Sequence, residues 1–175
     1  MDLNKKFKKD LKFGTDGEKI VAMYMAINGM SIVSDESTNT KDYDIVMYSP
    51  KADKNLYMEV KTDNYVDNEN DTGNIAIEIR YKGKPSGIST TKADWWIYYM
   101  PEISFNNLWM MECDKLKRFI KENIQDLKVV KGGDNNWSEL VLIPRKKYAQ
   151  YFGVDTIKKT YWNEQKTKES GEKKG

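Results

Sequence analysis

Tyr43-Asp44-Ile45-Val46-Met47-Tyr48 and Leu56-Tyr57-Met58-Glu59-Val60-Lys61 are the two stretches on which the reading of this chain turns. Both are short runs of β-branched, aromatic and aliphatic residues, which predicts a strand for each. Side chains alternate between faces along a strand. Glu59 and Lys61 therefore share one side, and Met58 and Val60 take the other. With Asp44 from the neighbouring strand, this face becomes a site for a hard divalent cation. Two carboxylates can hold Mg²⁺ through oxygen, and a nearby lysine can stabilise charge or orient a water. That chemistry suits hydrolysis of a phosphodiester.

Each residue also has a plainer reading. Asp44 can be a turn residue that opens a strand. Glu59 and Lys61 can be a solvated strand face, ion-paired across strands to Asp44. Taken singly, the plain reading is at least as good. Taken together, in this order and on adjacent predicted strands, the three favour the site.

Composition narrows the chemistry. The chain has 175 residues, 39% hydrophobic and 32% charged, enough for one domain with a real core. No apolar run approaches the length needed to span a bilayer. Residues 1–6 lack the apolar core of a secretion signal, so an intracellular protein is expected. Histidine is absent, which removes Ser-His-Asp and Cys-His catalysis and every histidine-bearing zinc site. The single cysteine, Cys113, can form neither an internal disulfide nor a thiolate zinc site, and reads as a half-buried small residue. Carboxylate, lysine, hydroxyl and oxygen-bound metal chemistry remain.

Net charge is only +2 but unevenly spread. Residues 1–12 hold five lysines against two aspartates, and residues 158–175 six lysines against three glutamates. Residues 63–71 hold Asp63, Asp67, Glu69 and Asp71 and no base. Basic ends fit phosphate contacts, and they equally fit ordinary solubility.

Along the chain, residues 15–29 predict a helix, with a capping box at Thr15-x-x-Glu18 and a stop at Gly29. Glu18, Val21, Ala22 and Met25 share its inner face. Further strands are expected at 31–34, 74–81, 95–100, 108–112 and 139–143. Polar loops are expected at 35–41, 49–55 and 63–72, and Lys82-Gly83-Lys84-Pro85-Ser86-Gly87 reads as a flexible basic loop able to approach a phosphate backbone. Ser89 to Asp94 could make one helical turn, with Asp94 capping it and Trp95 and Trp96 in the core. Asp114 is placed as the cap of a helix through Asn123, with Leu116, Phe119 and Ile120 inward. Arg145-Lys146-Lys147-Tyr148 starts a short basic helix, periodicity is lost from Ile157 on, and Ser170 to Gly175 read as disordered. The sum is an α/β sandwich around a mixed sheet: one domain over 1–157 and a basic tail over 158–175.

The order Asp44, then Glu59-x-Lys61 fifteen positions on, resembles the PD-(D/E)xK nuclease superfamily, with Tyr43 where the signature has proline. The segment 74–99, with Glu78, Ser86-Gly87-Ile88 and Thr91-x-Ala93-Asp94 ahead of an aromatic strand, is similar to phage and bacterial members. The resemblance implies a restriction-endonuclease-like fold, a mixed central sheet flanked by helices with the site at one edge, and a metal-dependent DNA endonuclease. Asp44, Glu59 and the Val60 carbonyl would bind Mg²⁺, with Mn²⁺ as a substitute. Lys61 would polarise the attacking water and stabilise the pentavalent phosphate. Glu18 matches the position of an extra helical acid and would either contribute to catalysis or simply cap its helix. Glu78 is an accessory candidate, and Lys82, Lys84, Ser86 and Lys92 would position the DNA backbone. Family analogy adds a homodimer that resolves junctions, cuts at a specific or homing site, or serves recombination and repair. The rivals are a non-catalytic nucleic-acid-binding module on the same fold and a structural or inhibitory protein whose acidic loop 63–71 meets a partner.

Overall fold

Alternation of apolar and polar residues builds most of the strands, and the way they divide between two sheets creates the site. The computed structural model describes residues 16–33 and 42–158. Thr15, Ser34, the loop at 35–41, the lysines of residues 1–12 and the tail beyond Lys158 lie outside the described residues. Residues 16–27 form helix α1. The chain then runs through β1 (Ser31–Ile32), β2 (Ile45–Ser49), β3 (Lys54–Thr62), β4 (Asn74–Tyr81), β5 (Lys84–Pro85), β6 (Trp95–Tyr99), β7 (Leu108–Glu112), α2 (Cys113–Asn123), β8 (Lys128–Gly132), β9 (Ser138–Pro144), α3 (Arg145–Tyr148) and β10 (Gly153–Asp155).

The fold is mixed α/β, as expected, but its strands form two sheets. The larger has the order β1-β2-β3-β6-β7-β10, and the smaller β5-β4-β9-β8. β3 and β6 pair in parallel, while every other pairing is antiparallel, so the larger sheet is mixed. Parallel neighbours need a long crossover. Here it is residues 63–94, which detour through β4 and β5 in the smaller sheet rather than through a helix.

The larger sheet has a core on each face. Leu56, Met58 and Val60 of β3 join Ile97 and Tyr99 of β6 under Ile20, Val21, Ala22 and Met25 of α1. On the opposite face, Trp96 and Tyr98 of β6 pack with Ile75 and Ile77 of β4, Val141 and Ile143 of β9, and Leu116, Phe119 and Ile120 of α2. The period of two assigns Glu59 and Lys61 to this second face, the one that meets the smaller sheet.

Some expectations shift. Lys82–Gly87 is not one open loop: Lys84 and Pro85 pair back on Tyr81 and Arg80 as a hairpin. The helical turn sits at Gly87–Ser89, ahead of its expected place, because Ser86, not Ser89, is where the extended chain ends. Helix α2 starts at Cys113 with Glu112 at its N-cap, leaving Asp114 in the first turn. Strands β8 and β10 were not expected. Arg145 turns inward, pairs with Asp71 and donates from its main chain to the Gly73 carbonyl. The acidic loop is likewise spent on its own structure. Tyr98 donates to Asp63, and Asp67 accepts from the Glu69 and Asn70 amides at 2.9 and 2.7 Å. Among the described residues no helix is long and apolar enough to cross a membrane.

Helix α1 ends where the Gly29 and Met30 amides reach back to the carbonyls of Ala26 and Met25, the pairing that closes a helix C-terminus. Its other end is set by a close approach. A Cβ on Gly17 would overlap Thr62 Oγ1 and lie 2.9 Å from Thr62 Cβ and Cγ2. Alanine would gain up to about 1 kcal/mol of helix propensity, but overpacking costs about 1–3 kcal/mol, so the clash decides the sign. Gly17→Ala is expected to lower the melting temperature, measured by circular dichroism. An unchanged or raised value would mean that α1 does not press on the end of β3.

Candidate active site

Three of the sequence candidates come from two paired strands and one from the helix that crosses them. Ile45 pairs with Met58, so Asp44, one position earlier, comes level with the end of the β3 motif. The Asp44 amide donates to the Met58 carbonyl at 2.9 Å, and the Val60 amide returns a bond to Asp44 Oδ2 at 2.7 Å. This reciprocal pair fixes the Asp44 carboxyl beside the Glu59-Val60-Lys61 turn of the strand. Lys61 Nζ lies 2.6 Å from Glu59 Oε1 on the same face. The Thr91 hydroxyl faces Glu59 Oε2 at 3.4 Å. Val60 sends its side chain into the opposite core.

The charges speak to one another. Burial, and then the Glu59 carboxylate, raise the pKa of Asp44, against the Val60 hydrogen bond and the Lys61 charge. Asp44 is exposed as a residue, yet protein atoms crowd its carboxyl enough for burial to be the leading cause. Glu18, half-buried on α1, is raised by burial and then by Asp44, with Glu59 adding to it. Burial alone would lower Lys61, but Glu59, Asp44 and Glu78 together hold it above its ordinary value. Lys61 therefore stays an ammonium at neutral pH. It can hold negative charge and orient a water, but it has no lone pair to accept a proton.

Glu59 and Lys61 line an open cleft of about 580 Å³ between the two sheets. Its far wall is Ala76 and Glu78 of β4 with Leu140 of β9, and Trp96, Ser86, Gly87, Thr90, Thr91 and Asp42 complete it. Glu78 is held from two sides: Ser86 Oγ donates to Oε1 at 2.6 Å, and Ser138 Oγ donates to Oε2. Gly87 is required there, because at φ +56° a Cβ would overlap the Glu78 carbonyl.

Asp44, Glu59 and Lys61 thus come together, Glu18 lies within electrostatic reach of them, Glu78 faces them, and Ser86 serves Glu78. The other proposed backbone contacts lie elsewhere. Lys82 and Lys84 sit at the β4–β5 turn. Lys92 pairs with Asp42 at 2.8 Å and faces a neighbouring pocket of about 710 Å³ beyond Thr91. Sequence reasoning missed Thr91 and the cleft role of Trp96. Trp96 is buried, as expected, but it also walls the cleft, with Lys61 Nζ 5.6 Å from its ring centroid. The signal was nonlocal: Trp96 stands beside Glu59 only because β6 runs parallel to β3.

The donor set fits a hard cation of a particular kind. Among the described residues no three His, Cys, Asp or Glu side chains close into a metal cage. Two mutually repelling carboxylates, each relieved by a cation, match Mg²⁺, which takes one or two carboxylates and completes its shell with water and phosphate oxygens. Ca²⁺, which asks for six to eight oxygens, is served less well.

A solved structure of a bacterial homing endonuclease, I-Ssp6803I, is similar to this chain with a TM-score of 0.46 and 16% identity, covering 93% of this chain and 97% of that one. No family model and no curated protein sequence matches the chain. At that score and identity the activity has to be read from the cleft itself.

The raised pKa of Asp44 has a consequence for stability. A carboxyl that holds its proton more tightly folded than unfolded costs the fold stability once ionised, so the cost is absent at low pH and grows as pH rises through the ordinary aspartate value and on to the raised one. Without divalent metal, Asp44→Asn is expected to melt above wild type at pH 7, the gap closing below about pH 4. Scanning calorimetry at both pH values checks this. A variant less stable at pH 7 would mean that the Val60 hydrogen bond to the charged form outweighs the burial.

Proposed function

We propose that this chain is a Mg²⁺-dependent DNA endonuclease of the PD-(D/E)xK type, on a restriction-endonuclease-like variant of the mixed α/β fold. The observation that carries the reading is the convergence of Asp44, Glu59 and Lys61, with Glu59 and Lys61 lining an open cleft and the Asp44 carboxyl bonded to the Val60 amide between them. Asp44, Glu59 and the Val60 carbonyl would hold Mg²⁺, which when bound supplies a Lewis acid for a phosphoryl oxygen and lowers the pKa of a water.

The chain's own residues do the rest. Lys61, kept cationic by its carboxylate neighbours, would orient the attacking water, whose proton passes to solvent, and then offset the negative charge that builds on the non-bridging phosphoryl oxygens. Preorganised charge of this kind costs no reorganisation when the reaction occurs. Glu18 adds a carboxylate on the helix side of Asp44. Glu78, with both oxygens taken by serine hydroxyls, keeps the far wall in place. Family analogy adds a homodimer, which would bring two such sites to one substrate.

The non-catalytic rival keeps the fold and loses the metal. The partner-binding rival is weakened by its own loop, where Asp63, Asp67 and Asp71 are engaged internally.

The decisive measurement incubates the purified chain with Mg²⁺ and linear, single-stranded, nicked and four-way-junction DNA. Cleavage of at least one is expected, abolished by Asp44→Asn and lowered about 10²–10³-fold or more by Lys61→Ala, with both variants folded. Activity retained by both variants would place the site elsewhere; no cleavage of any DNA with Mg²⁺ or Mn²⁺ would leave the binding module.

Glu18→Gln separates two roles. The amide can still serve a capping box, so near-full activity assigns Glu18 to the helix end. A steep loss at unchanged melting temperature assigns it to the reaction. The electrostatic contact with Asp44 favours the second outcome.

A further inference from the structure

The turn that ends β4 and the loop that leads into β9 present an arrangement that phosphodiester hydrolysis does not use. Tyr81 and Trp137 are 40% and 43% exposed, though both are large and apolar. Their rings meet edge to face, with centroids 6.1 Å apart. Lys82 Nζ lies over both, 3.7 Å from the Trp137 centroid and 5.4 Å from that of Tyr81. Scattered exposed aromatics are ordinary, but a paired set under one ammonium is a built surface.

Its backbone is as constrained as its rings. The Lys82 amide donates to the Trp137 carbonyl at 2.9 Å, tying the two turns together. Lys82 and Gly83 both have positive φ, which makes a tight hairpin turn, and Asn135 and Asn136 also have positive φ in the longer loop between Gly132 and Ser138. The indole is therefore held by ring contact, cation and main chain before anything binds.

The platform stands at the end of the strand that walls the cleft. Ser138, next to Trp137, donates its hydroxyl to Glu78, and Glu78 lines the cleft. Tyr81 pairs in register with Ser138 and with Lys84. Exposed Lys82, Lys84 and Lys131 stand around it.

We infer that Tyr81, Lys82 and Trp137 form a stacking platform that takes an unpaired nucleobase of the substrate beside the cleft. Every base has a π-face, so an aromatic platform binds without sequence preference, and the lysines meet the flanking phosphates. The inference rests on the nuclease reading and narrows it: the preferred substrate is DNA with an unstacked base near the cut, a flap, gap or branch point, rather than an intact duplex.

The test uses the full chain in chelator, so that binding is measured without cleavage. Labelled oligothymidylate and a blunt duplex of equal length are titrated and followed by anisotropy and by tryptophan emission. Oligothymidylate is expected to bind more tightly than the duplex and to quench the emission. Trp137→Ala should weaken that binding about 10- to 100-fold. Trp137→Phe should restore most of the affinity while losing the Trp137 share of the quench, because phenylalanine stacks but does not report. Should Trp137→Ala lose its fold, Tyr81→Ala supplies the same comparison. Equal affinity of wild type and the alanine variants, or preference for the duplex, overturns the platform. Cleavage that persists while the alanine variants bind normally sinks the platform alone. A platform that binds as expected on a chain that cuts nothing sinks the nuclease reading alone.

Discussion

The parallel pairing of β3 with β6 sets the wall of the cleft that carries Glu59, Lys61 and Trp96. It is fastened at its start by a single side chain: Asp94 Oδ2 accepts from the Tyr57 amide at 2.9 Å, and the Asp94 amide donates to the Tyr57 carbonyl at 2.7 Å. With that end fixed, Glu59 stands beside Trp96 and Lys61 beside Tyr98. A slip of one residue would send Glu59 and Lys61 into the α1 core and bring Met58 and Val60 to the cleft. The apolar residues on both faces make that slip costly, since each fully buried large side chain is worth about 1.5–3 kcal/mol. The register that suits the two cores is therefore the register that assembles the acids and the lysine.

How much of this the sequence shows follows from which forces are local. A period of two is local, so the long strands and the shared face of Glu59 and Lys61 were legible. The inner face of α2 was legible for the same reason, with Leu116, Phe119 and Ile120 all buried. Short strands are not. β8 is Lys128-Val129-Val130-Lys131-Gly132, mostly exposed, and has no alternation to read. β10 has three residues and exists because β7 offers an edge. The split into two sheets was invisible because β4 looks the same whether it pairs with β3 or with β9.

The candidate site was legible to the same depth. Asp44 and the Glu59-x-Lys61 triplet are a pattern along the chain, and Glu18 follows from helical spacing. The opposite wall is not a pattern. Glu78 acquires its place from Ser86 and Ser138, which lie eight and sixty residues away. Asp94 reads as a capping residue in sequence and acts as the clasp between two strands. Trp96 reads as core and is both core and wall.

The division of the cleft between two sheets has a mechanical consequence. Glu59 and Lys61 ride on one sheet and Glu78 on the other, so the width of the opening is the spacing between the sheets. That spacing is set by the interlocked rings and branched chains of Trp96, Tyr98, Ile75, Ile77, Val141 and Ile143. Close-packed interiors compress little and rearrange in discrete steps. The jaws are accordingly stiff, and compliance has to come from whatever enters them. For the nucleic acid proposed as its substrate, this would shift selection towards deformability, favouring steps that kink or unstack cheaply over those that merely present the right base edges.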